Sequence, residues 1–271
     1  MTKHRISLFL GCTLLLCATL AAAYAWEAPV TGDAADWRFE DAQRCIAISK
    51  VQDGDVTYFV ADVQLADAAL FRTAVDAQLS PVSVLASGAN AVLAVNGDDY
   101  GVHRYGIVIR GGRLIYARRT VSHMLVVDGQ GNFHIKTDRK QEDCRALSQQ
   151  YVDASVSHTF EFGPELVRDG QAAALPRYFD IISTSATSRE PRTAIGQVGP
   201  LHYVILVVDG RQKGYSAGVS LPALQELLLR YGAHTAINLD GGGSSELWFQ
   251  GDILNRPSGG TERSVSDIIC F

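Results

Sequence analysis

Short β-rich runs separated by glycine-containing turns constrain the fold of this chain more than any other feature. Arg44–Val51 and Val56–Leu65 flank Gln52-Asp53-Gly54-Asp55, and Asp-Gly is typical of a tight hairpin turn. The same arrangement of run, glycine turn and run recurs at 106–116 and 123–136, and a similar pair of runs lies at 193–208. Consecutive strands joined by such short connections pair in the antiparallel sense. The sequence therefore predicts a mostly antiparallel sheet.

One segment has clear helical periodicity. Its apolar residues recur at spacings of three and four, at Leu221, Leu224, Leu228 and Tyr231. Ser220 is a good N-cap, and Gly232 can adopt the left-handed conformation that ends many helices. Residues 136–150 are polar and are expected to form a surface excursion. The predicted fold class is therefore α+β, mostly antiparallel sheet with a few helices packed on it.

The first 25 residues have the pattern of a secretory signal peptide. A basic start precedes an apolar stretch from Ile6 to Ala23, and Ala23-Tyr24-Ala25 fits a small-x-small cleavage site. The alternative is an uncleaved N-terminal anchor, because the apolar stretch is near the minimum length that spans a bilayer. No later run is long enough to span one. We therefore expect an exported protein, periplasmic or secreted, whose mature chain is one domain without a membrane span.

Charge and composition exclude several functional classes. The chain of 271 residues has a formal net charge of −5, which argues against a nucleic-acid binder. Its 47% of hydrophobic residues argue against disorder. Removal of the signal peptide would leave Cys45, Cys144 and Cys270, so at most one intrachain disulfide can form, and the sequence does not specify the pair. The absence of a Cys-x-x-Cys motif argues against a zinc site.

The most informative loop follows the strand candidate Thr235–Leu239. It begins with Asp240, continues through Gly241, Gly242 and Gly243, and ends with Ser244 and Ser245. Three consecutive glycines are costly in chain entropy, and they make physical sense where a ligand must approach the backbone closely. Their N–H groups could then bind an anionic or sugar oxygen. Asp240, at the end of the strand, can serve as acid, base or ligand, and the competing interpretation is a flexible turn.

Two further aspartate segments follow strand candidates. Asn96-Gly97-Asp98 comes after a short apolar run, and Asp99 adds a carboxylate beside Asp98. Adjacent carboxylates repel each other, which raises one pKa or attracts a cation. Asp209-Gly210-Arg211 ends another apolar run. For both segments an ordinary turn is the competing interpretation.

Two arginines are candidates for binding an anion. Arg192 enters a strand of small and apolar residues and needs an anionic partner if it points inward. Arg263 opens the last strand candidate. A guanidinium can donate two parallel hydrogen bonds to a phosphate or carboxylate. The competing interpretation for both arginines is a surface ion pair.

Taken in order, these segments resemble the phosphodiester glycosidase family. The similarity runs from Ala94 to Phe271, and its most specific elements are Arg192-Thr193-Ala194-Ile195-Gly196 and Asp240-Gly241-Gly242-Gly243-Ser244. Asp99 stands where many members have an aromatic residue. The resemblance implies an α+β fold in which loops at one end of a curved, mostly antiparallel sheet form the site. It implies a phosphodiester glycosidase-like catalytic region at 91–271, preceded in the same domain by poorly matched strands and a helix at 26–90.

The resemblance also implies a function and roles for residues. The function is that of an exported hydrolase cleaving a glycosyl-1-phosphodiester bond in envelope or extracellular polysaccharide, with a carbohydrate or sugar phosphodiester as partner. Asp240 is the first choice for the base or sugar-stabilising carboxylate, with Asp209 and Asp98 in reserve. The expected substrate-binding residues are Asn96, Arg192, Gly241, Gly242, Gly243, Ser244, Ser245 and Arg263. No cofactor is required, although the carboxylates allow a divalent cation.

Two alternatives from other functional classes stay open at this point. The same loops would serve a noncatalytic envelope glycan-binding protein. A phosphatase or nuclease is less favoured, because the sequence has no metal-ligand motif.

Overall fold

The computed structural model describes residues 26–27, 29–30, 35–119, 122–137, 143–179 and 184–271. The predicted signal peptide at 1–25 lies outside these ranges. Every strand pairing among the described residues is antiparallel, which confirms the α+β prediction.

The strands are β1 (Trp37–Glu40), β2 (Arg44–Asp53), β3 (Val56–Leu65), β4 (Arg72–Pro81), β5 (Leu93–Asn96), β6 (Ile107–Arg110), β7 (Arg113–Ala117), β8 (His123–Val127), β9 (Phe133–Lys136), β10 (His158–Phe162), β11 (Glu165–Arg168), β12 (Gln171–Ala172), β13 (Tyr178–Phe179), β14 (Thr184–Ser185), β15 (Arg192–Gly199), β16 (His202–Val208), β17 (Thr235–Asn238), β18 (Leu247–Phe249), β19 (Asp252–Ile253) and β20 (Ser264–Cys270). The helices are α1 (Val82–Gly88), α2 (Tyr100–His103), α3 (Cys144–Asp153) and α4 (Leu221–Arg230), and short 3₁₀ turns lie at Ala68–Leu70 and Gly242–Ser244.

An eight-stranded sheet forms the centre of the fold, in the order β1-β2-β3-β16-β15-β17-β11-β12. The predicted hairpin of β2 and β3 is confirmed, and Gly54 has the positive φ of 59° that its turn requires. The predicted pair β15 and β16 is also confirmed. All seven residues of β16 are buried, because this strand lies inside the sheet and both of its faces are covered.

One face of this sheet packs against two smaller sheets. The five-stranded sheet has the order β19-β18-β5-β20-β4, and the three-stranded sheet has the order β10-β8-β9. Ile205 and Val207 of β16 share a hydrophobic cluster with Val95 of β5 and Leu125 of β8. Burial of this cluster removes apolar surface from water and holds the three sheets together.

Helix α4 covers the other face of the eight-stranded sheet. Leu221, Leu224 and Leu228 pack in one cluster with Val204 and Leu206, the alternate residues of β16. The predicted caps are confirmed: the Ser220 side chain accepts a hydrogen bond from the Ala223 N–H, and Gly232 has a φ of 76°.

Residues 138–142 of the predicted surface excursion lie outside the described ranges, and a helix occupies the end of that segment. Helix α3 begins at Cys144, where the Asp143 carboxylate caps the N–H groups of Arg145 and Ala146. Cys144 and the partly buried Leu147 pack beneath the sheets. The apolar face of α3 is narrow, so the polar composition concealed it.

Two of the strands that precede residue 90 pair with strands from the later part of the chain. Strand β3 pairs with β16, and β4 pairs with β20. No helix in the described part of the chain is both long and apolar enough to cross a bilayer. The three cysteines at 45, 144 and 270 are buried, and none is joined to another by a disulfide in the ranges described.

Candidate active site

Two predicted loops meet because the strands that lead into them come close to one another. Asn96 ends β5, and its side-chain amide donates a hydrogen bond to the Asp240 carbonyl, 2.7 Å away. Its side-chain oxygen accepts hydrogen bonds from the Thr193 hydroxyl at 2.8 Å and the Glu246 N–H at 3.2 Å. Asn96 is fully enclosed and therefore fixes both loops rather than presenting an open group to a ligand.

The glycine loop after β17 needs glycine for two distinct reasons. Gly242 has a φ of 62°, which side-chain-bearing residues adopt only with strain. A Cβ at Gly243 would lie 2.5 Å from Nη2 of Arg263, so only glycine lets that guanidinium lie against the loop. In the structure the group that lies against Gly243 is an arginine of the protein itself, and the binding of a ligand by these glycines stays a prediction.

A cavity of about 180 Å³ lies between the two loops and the start of β20. The polar side chains that line it are those of Asp98, Asp99, His103, Asp240, Ser244, Arg263, Ser264 and Ser266. Four of the predicted site residues, Asp98, Asp240, Ser244 and Arg263, thus line one cavity, and Asp240 and Arg263 supply a carboxylate and a guanidinium. Such a pair can contact both the anionic and the electron-deficient parts of one ligand.

The carboxyl group of Asp240 has an unusual electrostatic environment. Burial, reinforced by the charge of Asp99, raises the pKa of Asp240 to about 7. Hydrogen bonds from Ser244 and from the Gly241 N–H (2.8 Å) and the charge of Arg263 partly offset this rise. A carboxyl group that changes its charge near neutral pH is suited to acid–base chemistry.

Arg263 is the cation of this cavity. Its Nη1 lies 3.5 Å from the Ser244 hydroxyl, and no carboxylate of the described ranges lies within ion-pair distance. Arg211, on the other side of the glycine loop, is bonded instead to Glu190 at 2.6 Å. Arg263 therefore has charge to offer an anionic ligand, whereas Arg211 is already neutralised.

Asp98 lines the cavity, but its carboxylate is committed to the protein. Its Oδ2 accepts hydrogen bonds from Arg110 Nη2 and from the Glu161 N–H, each at 3.0 Å. Arg110 also contacts Asp267 at 2.7 Å, and its guanidinium lies 4.2 Å from the centroid of the Phe160 ring. Asp98 thus belongs to a buried ion cluster that supports one wall.

Asp209 does not line the cavity and is linked to the glycine loop through Asn255. Its carboxylate accepts hydrogen bonds from Asn255 Nδ2 at 3.0 Å, the Tyr215 hydroxyl at 2.9 Å and the Arg256 N–H at 3.0 Å. Asn255 in turn donates to the Ser245 carbonyl at 3.0 Å. Through Asn255, this carboxylate positions the end of the glycine loop, and it does not line the cavity.

Arg192 and Ser245 also lie away from the cavity lining. The buried Arg192 guanidinium donates hydrogen bonds to the carbonyl oxygens of Ser188 at 3.0 Å and Val219 at 3.4 Å. Its neighbour Thr193 contacts Asn96, as described above. In this arrangement the strand that begins at Arg192 supports the loops. The phosphate-binding role of Arg192 stays a prediction.

His103 lines the cavity although no sequence pattern predicts it as a site residue. It belongs to α2, which is a single turn and so produces no helical periodicity in the sequence. A histidine four residues after Asp99 was the only local signal, since residues at that spacing meet on one face of a helical turn. No group of three or more potential metal ligands occurs among His, Cys, Asp and Glu side chains of the described ranges.

The fold and the cavity together define an antiparallel α+β protein with a carboxylate and an arginine that line one cavity beside a glycine-rich loop. Residues 89–271 match the family model of the phosphodiester glycosidases, and the chain belongs to that family. The resemblance inferred from the sequence motifs is confirmed. Family membership supports glycosidase activity on phosphodiesters.

Curated relatives are similar over part of their length. The SPbeta prophage-derived uncharacterized protein YomE of Bacillus subtilis (strain 168) is 34% identical over 120 residues, which are 44% of this chain and 18% of that protein. The N-acetylglucosamine-1-phosphodiester alpha-N-acetylglucosaminidase of Bos taurus is 31% identical over 107 residues, which are 37% of this chain and 19% of that enzyme. The matched segments thus span about a fifth of these relatives.

A solved structure shows the same fold. It is the catalytic domain of zebrafish N-acetylglucosamine-1-phosphodiester alpha-N-acetylglucosaminidase, auto-inhibited by its pro-peptide. The TM-score is 0.64 at 20% identity, and the alignment covers 84% of this chain and 82% of that one.

Proposed function

We propose that this protein is a hydrolase that cleaves glycosyl-1-phosphodiester bonds, in envelope or extracellular polysaccharide or a similar sugar phosphodiester. One observation carries the proposal: Asp240, at the start of the glycine loop, and Arg263, which lies against Gly243, line the same cavity. Together with family membership, this pair supports a site for a substrate that has an anionic phosphate next to a reactive sugar carbon.

The two ends of such a substrate require different groups. A phosphodiester at the anomeric carbon leaves as a phosphate monoester, which carries negative charge without prior protonation. Arg263, assisted by N–H groups of the glycine loop, would hold this phosphate. The anomeric carbon becomes electron-deficient as its bond to the phosphate oxygen lengthens, and the Asp240 carboxylate would stabilise that charge.

The test is turnover of a panel of sugar-1-phosphodiesters by the mature chain, with free sugar and phosphate monoester measured separately. Asp240→Asn should lower kcat/KM by about a hundredfold or more, since it removes the carboxylate charge and keeps the side-chain shape. Asp252→Asn is the matched control, because Asp252 is exposed at the start of β19, away from the cavity. It should retain the wild-type rate.

Three outcomes would contradict the proposal. Full activity of Asp240→Asn would exclude Asp240 from the reaction. Binding of glycan at equilibrium without any hydrolysis would indicate a noncatalytic glycan-binding protein. Release of inorganic phosphate would indicate a phosphatase.

We further propose that the chain is exported, on the basis of the signal-peptide pattern at 1–25. Expression of the full chain and of a chain that starts at Trp26 in a bacterial host, followed by cell fractionation, tests this. Export should depend on the first 25 residues, and equal distribution of the two chains would contradict it.

A further inference from the structure

A histidine–aspartate pair forms a wall of the cavity described above. The Asp99 Oδ2 atom and Nδ1 of His103 are hydrogen-bonded across the single turn of α2. Arg104 then ends this turn in the left-handed conformation, with a φ of 50°. The turn therefore fixes the distance between the two side chains without the help of a long helix.

Tyr105 holds both members of the pair. Its hydroxyl donates a hydrogen bond to the other oxygen of Asp99, Oδ1, at 3.2 Å. Its ring is stacked on the His103 ring, with centroids 6.0 Å apart and an interplanar angle of 27°. The Asp99 side chain is 11% exposed and that of His103 is 31% exposed, so the imidazole is the more accessible member.

The remaining imidazole nitrogen is available for chemistry. Nδ1 is occupied by Asp99, and Nε2 has no hydrogen-bond partner in the part of the chain that the structure describes. His103 and Asp240 line the same cavity, and the charge of Asp99 contributes to the raised pKa of Asp240. The other charged groups at this cavity are Asp98, which is held by Arg110, and Arg263.

We propose that His103, oriented by Asp99, is the base that takes a proton from the attacking water in glycosyl-1-phosphodiester hydrolysis. This inference rests on the proposed function and assigns a residue that neither the sequence motifs nor the comparisons assign. His103 is the catalytic residue, because it would contact the reacting water. Asp99 is a positioning residue that acts through His103.

The proposed step balances as follows. The water oxygen forms a bond to the anomeric carbon, while the bond from that carbon to the phosphate oxygen breaks. The bonding electron pair leaves with the phosphate monoester, and the water proton moves to Nε2 of His103. Asp99 keeps the other proton on Nδ1 and stabilises the imidazolium, which then releases its extra proton to solvent. Asp240 faces the sugar throughout and need not accept this proton.

The chemistry of the leaving group favours a base over an acid at this position. A phosphate monoester leaves without protonation, so a general acid would add little to the rate. Water is a weak nucleophile, and a base that accepts its proton lowers the barrier by an amount worth about 10²- to 10⁴-fold in rate. A neutral imidazole whose Nδ1–H is directed to a carboxylate can accept a proton at Nε2.

The experiment measures kcat and KM of His103→Ala with and without added imidazole. We expect kcat to fall by about 10²- to 10⁴-fold, with KM nearly unchanged, and imidazole to restore at least tenfold. Asp99→Asn should also lower kcat with KM nearly unchanged, but imidazole should not restore it, because His103 still occupies the position. His134→Ala is the matched control. His134 belongs to β9, its Nε2 lies 3.0 Å from Oδ2 of Asp128, and it does not line the cavity.

The outcomes separate this inference from the proposed function. If the wild-type protein hydrolyses sugar-1-phosphodiesters and His103→Ala keeps the wild-type kcat, the base role is wrong and the proposed function stands. A folded but slow His103→Ala variant that imidazole does not restore also overturns the base role. If the wild-type protein hydrolyses none of the panel, the proposed function and the base role fail together.

Discussion

Replacement of Asp240 by asparagine should stabilise the folded protein at alkaline pH while it lowers kcat/KM by about a hundredfold or more. The pKa of Asp240 is raised to about 7, above the ordinary carboxyl value of 3.8, so the folded state favours the protonated form. The unfolded chain has no such preference. As the pH rises from about 4 to 7, the Asp240 carboxyl ionises in the unfolded state while it stays mostly protonated in the folded state. Ionisation stabilises the unfolded state, so the free energy of unfolding of the wild-type protein falls. An asparagine cannot ionise and avoids this loss.

The size of the effect follows from the displacement of the pKa. A rise of about three pH units corresponds to about 4 kcal/mol in the free energy of unfolding, at 1.36 kcal/mol for each unit. This is an upper value, because Asp240 lines a cavity that admits water and solvent screens its charge. We therefore expect Asp240→Asn to be about 1 to 3 kcal/mol more stable than wild type at pH 8.5. The difference should shrink toward zero below pH 4.

Urea denaturation at a series of pH values from 4 to 9 measures this difference. Asp252→Asn is again the control, and its difference from wild type should not grow with pH in this way. The reasoning is refuted if Asp240→Asn is equally or less stable than wild type at pH 8.5. It is also refuted if a stabilisation is present but does not depend on pH, since a packing change would then explain it.

Three further substitutions test other parts of the site. Gly243→Ala would place its Cβ 2.5 Å from Nη2 of Arg263 and so displace that guanidinium. Steady-state kinetics should show KM for a sugar-1-phosphodiester raised by about ten- to a hundredfold, and urea denaturation should show little change in stability. Asp209→Ala should lower the free energy of unfolding by about 2 to 4 kcal/mol, because several buried donors lose their acceptor, and calorimetry would measure the loss. Gly97→Ala would place a Cβ 2.4 Å from the buried Asp267 carboxylate and should lower the free energy of unfolding by about 3 kcal/mol, measured by urea denaturation. An unchanged urea midpoint would contradict the observed packing.

Features that depend on local chemistry could be predicted from the sequence. The hairpin of β2 and β3 is specified by Asp53-Gly54, and α4 by its apolar spacing and the Ser220 cap. The glycine loop can be recognised because glycine has no side chain to bury, so three in a row indicate a requirement of the backbone. In each case the determining residues are neighbours in the chain, so a short window of sequence contains the cause.

Features that depend on distant partners could not be predicted. Arg192 and Arg263 are both arginines beside strand starts, and only the fold shows that Arg192 bonds to the Ser188 and Val219 carbonyls while Arg263 faces the cavity. Asp209 and Asp240 both follow apolar strands and precede a glycine, yet only Asp209 accepts a hydrogen bond from Asn255. The partner that decides each case lies many residues away, so spacing alone carries no information about it.

The position of β20 has a consequence for how the cavity forms during folding. This strand lies inside the five-stranded sheet, where Ile268 pairs with both Asn96 of β5 and Ala74 of β4. The cavity wall at 263–266 is attached to this strand. Pairings between such distant segments close large loops and form slowly compared with hairpins. A chain that has folded only its hairpins therefore still lacks the cavity, which is complete only when β20 has entered the sheet.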